Sequence, residues 1–170
     1  MTSKILEAAL LYAELGWKVF PLHAVDENLQ CTCGVKNCTD AGKHPRNRRG
    51  LKEASIDTAT LTAWFGEGSP RSNIAIATGE ASNITVVDVD TADGKAGAAT
   101  WAELIAEKGE PDTLIAQTGS GGMHLVFKYN SAVKTAANVL GAGIDIRNDG
   151  GYIVAAPSNH RCGGHYKWLN

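Results

Sequence analysis

An α+β fold is predicted by two features of the 170-residue chain: helical periodicity confined to its earlier part, and a later run of short strands linked by Gly-rich turns. Residues 3–15 place Ile5, Leu6, Ala9, Leu10, Tyr12 and Ala13 on one helical stripe, with Ser3 as N-cap and Gly16 just past the end. The stretch from Trp17 to Leu22 reads as a first strand, in which Pro21 marks an exit or an edge position. A long loop, 23–52, follows. Asp57 or Thr58 can cap a short helix carrying Leu61, Trp64 and Phe65.

Two apolar strands come next, Asn73 to Ala77 and Ile84 to Asp90, separated by a Thr78-Gly79 turn. A helix over 95–108 turns Trp101, Leu104 and Ile105 inward and closes at Gly109 and Pro111. Strands are expected at 113–117, 123–129, 143–147, 152–156 and 165–168, in a mixed or antiparallel sheet.

Composition bounds the function. A hydrophobic fraction of 44% and a charged fraction of 20% are ordinary for a soluble globular chain. A net charge of -2 excludes a protein that coats nucleic acid through bulk positive charge, so any such contact is local. One stretch qualifies: Lys43, Arg46, Arg48, Arg49 and Lys52 put five cations into ten residues without an acid. Glu7 and Glu14 break the apolar N-terminal stretch, which therefore does not read as a secretion signal. No segment approaches the roughly 18–20 apolar residues of a membrane span. A cytoplasmic protein without membrane contact is expected.

Chemistry enters at Ile84-Thr-Val-Val-Asp88-Val-Asp90, where the period of two puts both carboxylates on one face. At a separation of roughly 7 Å and an effective dielectric near 20 they repel by about 2 kcal/mol, a cost that a divalent cation removes. Mg²⁺ is bound in this way, through one or two carboxylates and substrate phosphates. An acidic pair ending a strand in a solvated turn is the plainer alternative. A third acid, Asp145, shares its strand face with Arg147, while Ile144 and Ile146 point to the core. A purely structural pairing of Asp145 with Arg147 fits the same pattern.

Between these strands, Thr118-Gly-Ser120-Gly121-Gly122-Met-His124 is a loop whose glycines let backbone amides approach an anion and whose His can meet a phosphate. It lacks the Gly-Lys-Ser/Thr ending of a P-loop. A simple hairpin turn would look the same. Cys31, Cys33, Cys38 and His44 form C-x-C-x4-C-x5-H, a complete tetrahedral zinc set that leaves no open position, so the metal would be structural. His160, Cys162 and His165 are read as surface residues, and His23 as a packing or loop contact.

In order and spacing these motifs resemble the bifunctional primase-polymerase (prim-pol) domain of the archaeo-eukaryotic primase superfamily, common in phage and plasmid replication proteins. The resemblance runs from Gly16-Trp-Lys-Val-Phe-Pro-Leu22 through Gly42-Lys-His-Pro45, Asp88-Val-Asp90, Gly119-Ser-Gly-Gly-Met-His124 and Gly143-Ile-Asp-Ile-Arg147. It continues into Asp149-Gly-Gly-Tyr-Ile-Val-Ala-Ala-Pro-Ser158 and Tyr166-Lys-Trp168.

It implies that Asp88, Asp90 and Asp145 are catalytic and hold two Mg²⁺ or Mn²⁺. Ser120, Gly121, Gly122 and His124 would meet the incoming nucleotide, with Lys43 and Arg147 as further contacts. The implied fold is an RRM-like catalytic sheet, about 84–170, packed with a small N-terminal α/β unit bearing the zinc loop 23–52, all one domain over 1–170. The implied activity is template-directed nucleotidyl transfer, with nucleoside triphosphates, single-stranded DNA template and primer as partners. A monomer within a longer replication protein is expected, followed by helical and helicase domains and working in the host cytoplasm if phage-encoded.

Two rivals remain at this level. Val-Val-Asp-Val-Asp-Thr resembles the D-x-D-x-T signature of haloacid-dehalogenase-like phosphatases, whose acid is a nucleophile, but no convincing downstream Lys and paired-Asp motif follows. A non-catalytic zinc-bearing module for DNA or partner binding would keep the fold without using the three acids.

Overall fold

The computed structural model describes residues 3–92 and 94–170. The first helix, α1 (Lys4–Glu14), is capped as its sequence requires, with the Ser3 hydroxyl accepting from the Leu6 N–H. Leu6, Ala9 and Tyr12 are its buried stripe. β1 (Val19–His23) follows, and after the long loop a 3-10 turn at Gly50–Glu53 leads into α2 (Thr58–Phe65). Asp57 caps α2 by accepting from the Thr60 N–H. Then come β2 (Ser72–Ala77), β3 (Ile84–Val89) and α3 (Gly97–Lys108). The chain closes with β4 (Leu114–Gln117), β5 (Met123–Lys128), β6 (Ile144–Arg147), β7 (Tyr152–Ala155) and β8 (Lys167–Trp168).

The fold is α+β, with two antiparallel sheets in the orders β1-β2-β7 and β6-β3-β5-β4-β8. β7, late in the chain, leaves the strands around it and completes the sheet begun by β1 and β2. β1 is an edge strand, which is why Pro21 is tolerated opposite Ile74. The last strand is shorter than its sequence pattern indicated: His165 makes an isolated bridge to Asn159, and regular pairing begins at Lys167.

The main core gathers α1, α2 and both sheets, with Leu61, Val19, Ile74, Ile76 and Val86 fully buried. Tyr12 spans it. Its hydroxyl donates to the Ala156 carbonyl and accepts from the Trp168 indole N–H, tying the first helix to the last strand. A separate apolar cluster of Val87, Val89, Leu125 and Ile144 packs under Trp101 and Leu104 of α3. α3 itself buries only Gly97, whose Cα sits against the Asp90 and Gly143 carbonyls so closely that no side chain fits. This contact fixes the helix start beside the acidic end of β3. Among the described residues, no helix is long and apolar enough to cross a membrane.

Candidate active site and metal-binding loop

Asp88 is in β3, paired on both sides, where register sets its neighbours. Asp145 of β6 stands directly opposite on one side and His124 of β5 on the other. Directly paired residues share a sheet face, so these three side chains form one row. Ile144 and Ile146 go to the opposite, buried face, as alternation requires. The His124 Nε2 lies 3.5 Å from an Asp88 oxygen, and Arg147 donates to Asp145 at 2.9 Å and to Asp88 at 3.4 Å. The predicted Asp145–Arg147 pairing therefore exists, and it extends to Asp88.

Asp90 follows the end of β3. Its N–H donates to the Gly143 carbonyl, and its carboxylate accepts from the Ala92 N–H and, at 2.5 Å, from the Lys95 ammonium. Burial alone would raise the Asp90 carboxyl, but the hydrogen bonds and the charges of Lys95 and Lys43 bring it below the ordinary value. Lys95 is raised reciprocally, first by its bond to Asp90. Arg147 thus bridges Asp88 and Asp145, whereas Lys95 holds Asp90 separately, and among the described residues the three acids do not meet as a metal-binding group. Carboxylate oxygens are the donor type that Mg²⁺ and Mn²⁺ take, and a cation would have to draw these three closer.

A cavity of about 370 Å³ opens beside this row, lined by Asp88, Asp90, Ser120, His124, Lys43 and Arg147 among others. Asp145 does not line it; its link to the cavity is the ion pair with Arg147, which does. Within the Gly-rich loop, the Thr118 N–H donates to the Gly122 carbonyl and the Thr118 and Ser120 hydroxyls lie 3.3 Å apart. Gly122 has no room for a side chain, because a Cβ would collide with the Val89 carbonyl. Burial drives the His124 imidazole below its usual pKa against the pull of Asp88, so it is neutral at physiological pH. Its Nδ1 is buried with no hydrogen-bond partner.

The cysteine loop folds onto the edge strand β1. The His23 N–H donates to the His44 carbonyl and the Arg46 N–H to the Pro21 carbonyl, while Val25 bridges Cys31. One ligand atom from each of Cys31, Cys33, Cys38 and His44 lies within 4.8 Å of the others, with the His44 Nε2 3.3 Å from the Cys31 sulfur and 3.5 Å from that of Cys38. Tetrahedral zinc spaces its ligands about 3.5–3.8 Å apart. The group is compatible with zinc, and the His23 ring lies against that of His44, centroids 4.6 Å apart and tilted by 31°.

A family model described as bifunctional DNA primase/polymerase, N-terminal (Prim-Pol), matches residues 9–170. The chain belongs to the Prim-Pol family. A search of curated proteins finds no match. Membership supports a primase/polymerase-type function and a nucleotidyltransferase class for this Prim-Pol chain.

Sequence reasoning missed several cavity residues. Thr135 and Asp40 carried no motif signal, and Tyr166 belonged to a quoted motif without a role in the site; Lys95, outside the cavity lining, becomes visible only through its bond to Asp90. His160 needs a correction. It is buried rather than superficial, because Gly119 and Gly164 let the 159–165 turn pack tightly under the Gly-rich loop. Cys162 donates to the Gly119 carbonyl, and His165 is exposed. Among the described residues these three form no metal-binding group, whereas the four residues of the cysteine loop do.

Proposed function

We propose that this chain is a DNA-directed primase-polymerase that joins nucleoside triphosphates on a single-stranded DNA template, starting and extending primers. The observation that carries the reading is the row Asp145–Asp88–His124 across three adjacent strands, of which Asp88 and His124 line a cavity with Asp90, Ser120 and Lys43. Asp88, Asp90 and Asp145 would hold two divalent cations, Mg²⁺ or Mn²⁺, whose chemistry when bound is to acidify the attacking 3′-hydroxyl and neutralise the triphosphate.

Neutral His124 donates a hydrogen bond to a phosphate oxygen without needing protonation. Ser120 and the amides of Gly121 and Gly122 add donors from the loop, and Lys43 supplies charge from the opposite wall. Positioning and electrostatics then do most of the catalysis. The Cys31, Cys33, Cys38 and His44 group braces the segment that presents Lys43, as a structural zinc site.

The test is templated primer extension with and without a primer. Asp88→Ala or Asp90→Ala should abolish incorporation while leaving the thermal melt nearly unchanged, and full synthesis by either variant would reject the assignment. Phosphate release without incorporation would favour a phosphatase, and DNA binding with neither activity a non-catalytic module.

A further inference from the structure

The two walls of the cavity come from distant parts of the chain: Lys43 rides on the cysteine loop, and Ser120 sits in the Gly-rich loop. Two asparagine side chains connect them, beginning with a fully buried one. Asn73 of β2 is 2% exposed, and its amide nitrogen donates to the Gly42 carbonyl at 2.9 Å and to the Asn159 carbonyl at 2.8 Å. Its amide oxygen accepts from the Asn159 N–H at 3.0 Å. Both amide protons are therefore used. Asn159 continues the link, since its side chain accepts from the Val25 N–H and donates to the Val25 carbonyl.

From Gly42 the connection passes directly to Lys43, whose carbonyl also accepts from the Tyr152 hydroxyl. Gly42 admits no side chain: its φ is +79°, and a Cβ there would lie 2.8 Å from Val25 and 3.1 Å from the Asn73 nitrogen. From Asn159 the connection passes to the 159–165 turn. The Asn159–His165 bridge closes that turn, His160 and Gly164 pack against Gly119, and the Cys162 thiol donates to the Gly119 carbonyl. The buried links between the Lys43 wall and the Gly119–Gly122 wall are thus the Asn73 and Asn159 amides, with the exposed Arg161 adding a bond to the Thr39 carbonyl.

We infer that Asn73, with Asn159, is a positioning residue for nucleotide binding: it fixes the distance between Lys43 and the Gly-rich loop so that both meet the same triphosphate. The inference rests on the proposed function. Asn73 lies outside the cavity lining and touches no reacting group. Asn73→Asp keeps the shape but replaces two donors with a carboxylate facing two carbonyls, an uncompensated loss deep in the protein.

The experiment measures steady-state incorporation over a range of nucleotide concentration for wild type, Asn73→Asp, Asn159→Asp, Lys43→Ala and the Asn73→Asp/Lys43→Ala pair, with zinc content and melting temperature for each. The tether predicts a KM raised about tenfold or more in both tether variants, a kcat within about threefold of wild type, and retained zinc. It also predicts that Asn73→Asp raises KM much less once Lys43 is gone, because the two act on one contact. An unchanged KM overturns the inference, as does a loss of kcat with KM unmoved or full additivity with Lys43→Ala. Failure of both tether variants to fold does the same, since the amides would then be a folding element. A wild-type protein that incorporates no nucleotide sinks the proposed function itself, whereas an active wild type with unmoved variants sinks the tether alone.

Discussion

Asp88 and Asp145 lie directly opposite each other in the antiparallel pairing of β3 with β6, and the Arg147 guanidinium reaches both carboxylates. Like charges in directly opposed positions destabilise a sheet, so the pair persists because Arg147 offsets it. A divalent cation competes for the same oxygens. Asp145→Asn removes one of them while leaving Asp88 for Arg147. The metal-free variant should melt close to wild type, but the rise in melting temperature that Mn²⁺ gives the wild type should largely vanish. At a hundredfold excess over Kd that stabilisation is about 2.7 kcal/mol. An undiminished Mn²⁺ shift would remove Asp145 from the metal site.

Lys95 occupies an oxygen of Asp90 and feels the charges of Asp145 and Asp88 as well. A cation entering the cluster must work against this ammonium. Lys95→Gln should therefore tighten Mn²⁺ binding by roughly threefold to tenfold at low ionic strength, with the gain shrinking as salt screens the charge. Titration followed by the electron spin resonance of free Mn²⁺ reads this directly. Weaker binding in the variant would mean that Lys95 supports the site instead of opposing the metal.

Cys31 is the buried member of the cysteine group and bridges Val25, the residue that the Asn159 side chain also grips. Zinc of about one equivalent is expected in the purified wild type by elemental analysis. Cys31→Ser should lose it and, because His44 adjoins Lys43, raise the KM for nucleotide more than it lowers kcat. Fully folded wild-type protein without zinc would remove the structural-metal assignment.

The face on which each acid lies was legible because a period of two is a strong rule: Asp88 had to share a face with its neighbour two residues on, and Asp145 had to oppose Ile144 and Ile146. The caps at Ser3 and Asp57 were legible for an equally local reason. Register was not. Nothing in the sequence states that Asp145, Asp88 and His124 align across three strands, because pairing depends on how distant segments dock. The same limit hid Lys95 and Asn73, whose roles come entirely from partners that fold next to them. The burial of His160 was hidden by its setting, since polar residues beside two glycines look like an exposed turn until another glycine, Gly119, is seen to receive them.

Asp149 gives a pH-dependent test of the turn that carries Gly150 and Gly151 into the cavity wall. Its carboxylate accepts from the Glu80 N–H and the Tyr129 hydroxyl, both at 2.9 Å, so it pins this turn to the β2–β3 connection and to the end of β5. The Glu80 N–H first, then the Tyr129 hydroxyl, hold its carboxyl below the ordinary 3.8. A carboxyl that is a stronger acid when folded stabilises the fold fully above its unfolded pKa and loses that contribution as pH falls through the folded value. Asp149→Ala should therefore melt below wild type at pH 7, and the gap should persist to about pH 4 and close beneath it. Denaturation midpoints for the two proteins from pH 7 to 3 read the difference directly. A gap that stays constant through acid would show that Asp149 acts by packing alone and that its ionised form adds nothing.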